Sequence, residues 1–322
     1  MSDIKKRLED KLRQSGAAGA LPGTAPRQIG QGSVSERAEQ ERQRAQYAPV
    51  DVYLLSDATS SMFPVIHTVR DGFDAIAQEL FGHPERGDIR ISIGYVRDHY
   101  QGVGVPMREE DFLTIHPLSA DLGTLQRYIR GIRSITNADN VEGYECAWLR
   151  LAELMGAHET TAGRKQIAVF FGDELPHGFL AQYTAGEMRG THSPRTEYSV
   201  TVPGKSPYHG LDLGCPNNVD PYKAWKALDA SANLAIFVGC SEQEGMLAGG
   251  VGVDVLQRKI VDSVGPGSHS KYVSLEDRSL IPGLIMVATR LAQSNYAAQQ
   301  TLAQLPDHQR RQIAGLLGVG NQ

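Results

Sequence analysis

The sequence predicts an α/β protein, a doubly wound and mostly parallel central sheet flanked by helices. Two observations carry this. From residue 49 onward, short continuous apolar runs rich in Val, Ile and Phe recur, as strands buried on both faces do. Between these runs lie stretches of helical pattern, and strand followed by helix, repeated, builds a parallel sheet with helices on both faces. Such sheets bind ligands in the crevice at the carboxyl ends of their strands, so the ends of the apolar runs are the places to examine.

Taken in order, residues 1–14 read as a short amphipathic helix, with Ile4, Leu8 and Leu12 spaced four apart among Lys, Arg, Asp and Glu. A helix of that length is marginal alone, which leaves a solvated tail or a docking helix. Residues 15–32 carry Gly, Ala and Pro with almost no large apolar groups and read as a linker, and 33–47 are polar. Strands are expected at 50–55, 89–96, 112–115, 167–171 and 234–238, with a weaker one at 272–273. Helices are expected at 65–80, 122–130, 142–155, 221–231, about 255–264 and 280–292. The organisation is then an N-terminal helix and linker over 1–48, a main domain over 49–292 and a helical tail over 293–322. In that tail, Leu302, Leu305, Ile313 and Leu316 suggest one amphipathic helix over 302–317, with Pro306 near its start.

Residues 174–219 form an insertion without a clear helix, longer than the ~12–15 residues that compact domains usually leave irregular. It carries Tyr183, Tyr198, Tyr208, His192, His209, Arg195 and Lys205, a mix suited to a recognition surface, and 196–202 (TEYSVTV) alternates like a hairpin strand. It is either a partner-specificity element or a decoration.

Composition narrows the function classes. The 322 residues are 41% hydrophobic and 21% charged with a net charge of −5, ordinary for a soluble protein and without the basic footprint of a nucleic-acid module. No apolar run reaches the ~18 residues needed to span a bilayer, and MSDIKKRLEDKLRQ has no secretory apolar stretch. Three cysteines make no disulfide framework. The expectation is a cytoplasmic, reduced protein with neither membrane nor nucleic acid as partner.

Chemistry gathers at the strand ends. The run VDVYLLS leads into Asp57-Ala58-Thr59-Ser60-Ser61-Met62, where Asp57, Thr59 and Ser61 can point to one side of a turn. Such a cluster of hard oxygens suits Mg2+ or Mn2+; the alternative is plain helix capping by the hydroxyls. In IAVFFGDELPHG, Asp173 follows a second apolar run, and two carboxylates at the carboxyl ends of buried strands repel unless a cation or proton lies between them. Thr136 to Gly143 (TNADNVEG) supplies a third loop of oxygens.

These segments resemble the von Willebrand factor A domains. Asp57-x-Thr59-x-Ser61-Met62 is similar to the DxSxS or DxTGSM signature of their metal-ion-dependent adhesion site. Tyr95-Val96-Arg97-Asp98-His99, Ala138-Asp139-Asn140-Val141-Glu142-Gly143 and Asp173-Glu174-Leu175-Pro176-His177-Gly178 resemble the YRDH, GGDxPEG and DAPPHG stretches of an intracellular branch that includes alpha-kinase-linked members. The resemblance covers roughly residues 49–292. It implies Thr59 and Ser61 as direct ligands, Asp57 as a ligand directly or through water, and Asp173 as the acid that holds a metal-bound water. It implies Asp139 as the second-loop ligand, with Thr136 as the alternative, and Glu174 and His177 at a partner-binding rim. The chain departs from the pattern at Ser60 in place of Gly, at Thr136-Asn137-Ala138 in place of a Gly run, and at Val141 in place of Pro.

The resemblance further implies a metal-dependent protein–protein adaptor that takes a partner's Asp or Glu through Mg2+, in a bacterial multi-protein system whose partners are AAA+ ATPases or kinases. An Mg2+-dependent hydrolase or phosphoesterase using the same acids is the alternative. Against it, no Ser–His–Asp elbow, phosphate loop or kinase motif set is present, and Thr59 stands where DxDxT phosphatases carry a second Asp. Arg97 and Asp98 read as an ion pair with His99 beside it. A zinc site from His177, His192, His209 and Cys215 follows none of the usual close-pair spacings. Cys146 and Cys240 read as packing residues, and the Gly-rich AGGVGVD does not follow a strand with phosphate-loop spacing.

Overall fold

The computed structural model describes residues 47–82, 87–101, 105–133, 141–158, 163–179, 196–200, 208–212, 214–240 and 253–320. The N-terminal helix and linker, up to residue 46, lie outside the described residues, as do Thr136 and Asp139. Each apolar run read as a strand forms one: β1 (Val50–Asp57), β2 (Ile89–Val96), β3 (Leu113–Ile115), β4 (Lys165–Gly172), β5 (Leu234–Gly239) and β6 (Ser270–Ser274). They join one sheet in the order β6-β5-β4-β1-β2-β3. Every neighbouring pair is parallel except β2 and β3, which run antiparallel.

Successive side chains of a strand point to opposite faces, and here both faces are dry. Val50, Val52 and Leu54 of β1 enter one hydrophobic core; Tyr53 and Leu55 enter another. The first core is closed by α1 (Phe63–Phe81), α2 (Leu122–Gly131) and α6 (Ile281–Gln293), the second by α3 (Tyr144–His158), α4 (Pro221–Ser231) and α5 (Val253–Asp262). That two-sided burial is why the strands are apolar without alternation. The second core is aromatic: Trp148 and Trp225 meet edge to face at 5.1 Å, and Phe170 and Phe237 at 5.3 Å.

Local chemistry sets the helix ends. Asp220 accepts hydrogen bonds from the Tyr222 and Lys223 N–H groups and Pro221 follows it, so α4 starts where the sequence predicts. The helix expected over 142–155 instead begins at Tyr144, because Val141–Glu142 pairs in parallel with Leu175–Pro176. This short pairing carries Glu142 to the loop that follows β4. The hairpin expected within the insertion is present, with Thr196–Val200 antiparallel to Tyr208–Asp212.

The C-terminal segment differs from the expected single helix and from a separate tail. It forms α7 (Asn295–Gln304) and α8 (Asp307–Leu317), broken where Leu305 turns extended before Pro306, which disfavours the α region for its predecessor. Leu302, Ile313 and Leu317 pack in the first core, and Gly283 of α6 lies so close that a Cβ there would stand 2.6 Å from Ile313 Cδ1.

One buried cation ties these helices to the sheet. Arg290 is fully buried; it donates to the Gln293 side chain at 2.9 Å and to the Glu79 carbonyl at 2.7 Å, and its Nε lies 3.5 Å from the Glu79 carboxylate. Gln293 reaches the Ala48 carbonyl before β1, and Thr301 of α7 donates to Glu79. Removing one member of a buried ion pair strands the other. Arg290→Ala is therefore expected to lower unfolding free energy by about 3–5 kcal/mol, read from urea denaturation midpoints.

Candidate functional site

The chain leaves β1 for β2 on one side and later returns to β4 on the other, which makes the gap between the carboxyl ends of β1 and β4 the switch point of the sheet. Both acids predicted from strand ends lie there. Asp57 ends β1 and is fully buried; Asp173 directly follows β4 and is 8% exposed. Asp57 Oδ1 accepts the Thr59 N–H at 2.6 Å, which tightens the turn out of β1, and Oδ2 accepts the Tyr144 hydroxyl at 2.5 Å. Thr59 occupies the N-cap position of the Ser60–Met62 turn but makes no side-chain capping bond; its Oγ1 lies 3.3 Å from Ser61 Oγ. The hydroxyls are thus not spent on capping, and they stand beside the acids.

More carboxylates crowd the same place than the sequence predicts. Glu142, brought in by its pairing with the 175–176 segment, is fully buried, and Asp57, Asp98, Asp173 and Glu174 all push its pKa up in addition to burial itself. Burial, then the Asp173 charge, holds Asp57 well above the ordinary carboxylate range despite the Tyr144 and Thr59 hydrogen bonds. Asp173 is also raised, first by burial; the nearby Ser61 hydroxyl and Asp57 bring it only part of the way back. Tyr144, at the start of α3, bridges the acids: its hydroxyl donates to Asp57 and accepts the Glu174 N–H at 3.4 Å.

The donor set fits a hard divalent cation. Its members are carboxylates and hydroxyls, and Asp173 Oδ1 is buried without a hydrogen-bond partner among the described residues. Asp139 and Thr136 lie outside the described residues. Glu174 and His177 do not form an exposed rim. Glu174 is 6% exposed and His177 is fully buried, with Nδ1 at 3.0 Å from the Glu142 carbonyl and Nε2 at 3.4 Å from Asp98 Oδ1.

The YVRDH segment also differs from its reading. Arg97 sends its guanidinium to the Asp111 and Arg133 carbonyls and over the Tyr95 ring, so no Arg97–Asp98 ion pair forms; Asp98 turns inward to cap the Tyr100 N–H. His99, read as a bystander, is fully buried, with Nε2 at 2.6 Å from Glu145 Oε1. Burial alone would lower the His99 pKa, but the Glu145 carboxylate reverses this and the net shift is upward. Burial would raise Glu145, and the two histidines reverse that to a lowered value.

Two cysteines complete this second cluster. Cys215 Sγ lies 3.7 Å from His99 Nε2 and 3.6 Å from Cys146 Sγ. His99, Glu145, Cys146 and Cys215 could hold a metal ion, since one ligand atom from each lies within 4.8 Å of all the others. The set differs from His177, His192, His209 and Cys215: His192 lies outside the described residues, and Cys146 is a member and not only packing. Sequence reasoning passed over Glu142, Tyr144, Glu145 and Cys146. Glu142 had a signal, as the acid of the GGDxPEG-like stretch; the others had none in their spacing.

No family model matches the chain, and no curated protein matches it. Two solved structures of the pilus adhesin SpaC from Lactobacillus rhamnosus GG are similar to it. The open conformation matches at 11% identity and a TM-score of 0.45 over 76% of this chain and 30% of the adhesin. A second form matches at 12% identity and 0.47 over 77% and 31%. This chain thus spans under a third of the adhesin's length. Among the described residues, no helix is long and apolar enough to cross a membrane.

The pKa directions set a pH dependence. Without a cation, the native state keeps protons on Asp57, Asp173 and Glu142 that the unfolded chain has released above about pH 4–4.5, so stability falls as pH rises through the raised native values. His99 acts in the same direction: its raised pKa stabilises the fold below about pH 6.5, and this is lost as pH rises through the native value. Glu145, lowered, contributes in full above about pH 4.5 and leaves the slope unchanged there. Melting temperature in EDTA should therefore fall as pH rises above about 4.5, Asp57→Asn should flatten that fall, and Mg2+ should recover stability at the alkaline end. A melting curve indifferent to pH and to Mg2+ would contradict the acid cluster.

Proposed function

We propose that the protein is a metal-dependent protein–protein interaction module, an intracellular adaptor of the von Willebrand factor A type with a doubly wound domain. In this reading Asp57, Thr59, Ser61 and Asp173 hold Mg2+, together with Asp139 or Thr136. The observation that carries the reading is the pairing of Asp57 and Asp173 at adjacent strand ends of the switch point, with a buried Asp173 oxygen left unpaired.

When bound, Mg2+ supplies a Lewis-acidic position that accepts a carboxylate oxygen. The chain's own residues do the rest. Tyr144 and the Thr59 N–H fix the Asp57 carboxylate in one orientation, so that it need not be ordered when a ligand arrives. Thr59 and Ser61, neutral and side by side, add oxygen donors without adding charge. Glu142, buried behind the acids with its pKa raised by them, is a further carboxyl that a bound cation would let ionise. The partner's contribution is an Asp or Glu side chain, in keeping with an AAA+ ATPase or kinase system in a bacterial cytoplasm.

This function is tested by capture from source-cell lysate on the tagged protein in Mg2+ and in EDTA, with partners identified by mass spectrometry. A partner retained in Mg2+ should be lost in EDTA and lost on Asp57→Ala, while Asp57→Ala keeps its circular dichroism spectrum. Equal capture in both buffers, or turnover of a phosphoester that depends on Asp57, would replace this reading with another.

A further inference from the structure

We propose that His99, Glu145, Cys146 and Cys215 form a second metal site, specific for a tetrahedral, thiolate-binding cation of the Zn2+ class, that clips the end of the 174–219 insertion to the start of α3.

The geometry points to this first. In a tetrahedral Zn2+ site with Zn–S about 2.3 Å and Zn–N about 2.0–2.1 Å, two sulfurs stand about 3.8 Å apart and a sulfur and a nitrogen about 3.5 Å apart. The observed separations are 3.6 Å between the Cys146 and Cys215 sulfurs and 3.7 Å between Cys215 Sγ and His99 Nε2. The His99–Glu145 contact, at 2.6 Å, is a hydrogen bond; it opens by about 0.7 Å when both become ligands. All four side chains are buried, so the site is a closed one with no place for solvent, as in structural and not catalytic zinc sites.

The surroundings are arranged for it. The Glu145 carboxylate is oriented by the His177 N–H, which donates to Oε2 at 3.2 Å and leaves Oε1 toward His99. Asn217 Nδ2 donates to Cys146 Sγ at 3.4 Å, the kind of outer contact that supports a thiolate. On binding, the two thiol protons and the His99 Nε2 proton leave to solvent, His99 stays neutral with its other proton on Nδ1, and two thiolates, one carboxylate and one imidazole nitrogen meet the cation. Soft sulfur selects Zn2+ here as firmly as the all-oxygen set at Asp57 selects Mg2+.

The site also has a structural task. Cys215 follows Gly214, whose carbonyl accepts the Tyr100 hydroxyl at 2.8 Å, so the end of the insertion already leans on the segment that carries His99. A cation joining residues 99, 145, 146 and 215 closes long loops in the chain, and this holds Cys215 against the start of α3.

The test uses the full-length reduced protein, stripped of metal and titrated with Co2+. One equivalent should bring the strong visible absorption of tetrahedral Co2+ and a near-ultraviolet thiolate charge-transfer band, both removed by Zn2+. Cys146→Ser and Cys215→Ser should each weaken binding more than about tenfold and reduce the charge-transfer band, whereas Asp57→Ala and Cys240→Ser should leave it in place. Asp57→Ala thereby separates this site from the Mg2+ reading, which fails or stands independently. Should a cysteine variant not fold, native mass spectrometry of the unaltered protein still decides, since it should carry one Zn2+. The proposal is overturned if stripped protein gives no thiolate band, if the band survives both cysteine variants, if the unaltered protein holds no Zn2+, or if Cys146 and Cys215 prove joined by a disulfide.

Discussion

The constraint on which the site depends is the burial of several carboxylates within reach of one another at the end of a dry sheet. Asp57 and Asp173 are fixed by the register of β1 against β4, and Glu142 is drawn in by the Val141–Glu142 pairing with Leu175–Pro176. Like charges in a low-dielectric place push each other's pKa up, and the Tyr144, Thr59 and Ser61 hydrogen bonds and the Arg278 charge relieve them only in part. The carboxylates stand at the end of a sheet that is covered by a large hydrophobic core on each face. The fold also builds around them. Tyr144 needs its ring against β4, and Gly172 provides that room, since a Cβ there would come within 2.9 Å of the ring.

Three consecutive residues at the start of α3 connect this acid site with the cysteine cluster. Tyr144 turns to Asp57, while Glu145 and Cys146 turn to His99 and Cys215. The approach of this turn to the segment after β2 depends on Gly143, where a Cβ would lie 2.8 Å from the Arg97 carbonyl and 3.3 Å from the His99 ring. Two donor sets of opposite softness thus share one helix start. Carboxylates and hydroxyls gather at the switch point; His99, Glu145 and the two cysteines gather on the other side of the helix start.

The parts of this structure that were legible in the sequence are those dictated by local chemistry. β1, β2, β4 and β5 showed themselves because burial on both faces demands apolar runs, and α4 was placed over 221–231, where the Asp220 cap and Pro221 fix its first turn. Asp57 and Asp173 were legible because each directly follows such a run. What was not legible depends on contacts between distant segments. The start of α3 shifted because residues 141 and 142 are held as strand by residues 175 and 176. The C-terminal helix broke because Pro306 acts on Leu305 before any periodicity can continue. The second cluster joins residues 99, 145, 146 and 215, and no spacing rule connects positions that only the folded sheet brings together.

His177 is where the two clusters meet. Its backbone N–H holds Glu145, its ring lies between the Glu142 carbonyl and the Asp98 carboxylate, and it packs 4.9 Å from the His99 ring. It stands four residues after Asp173 on the same loop. It thus ties the loop that carries Asp173 to the carboxylate that accompanies His99. A buried residue with these contacts serves better as a mechanical connection than as a recognition surface.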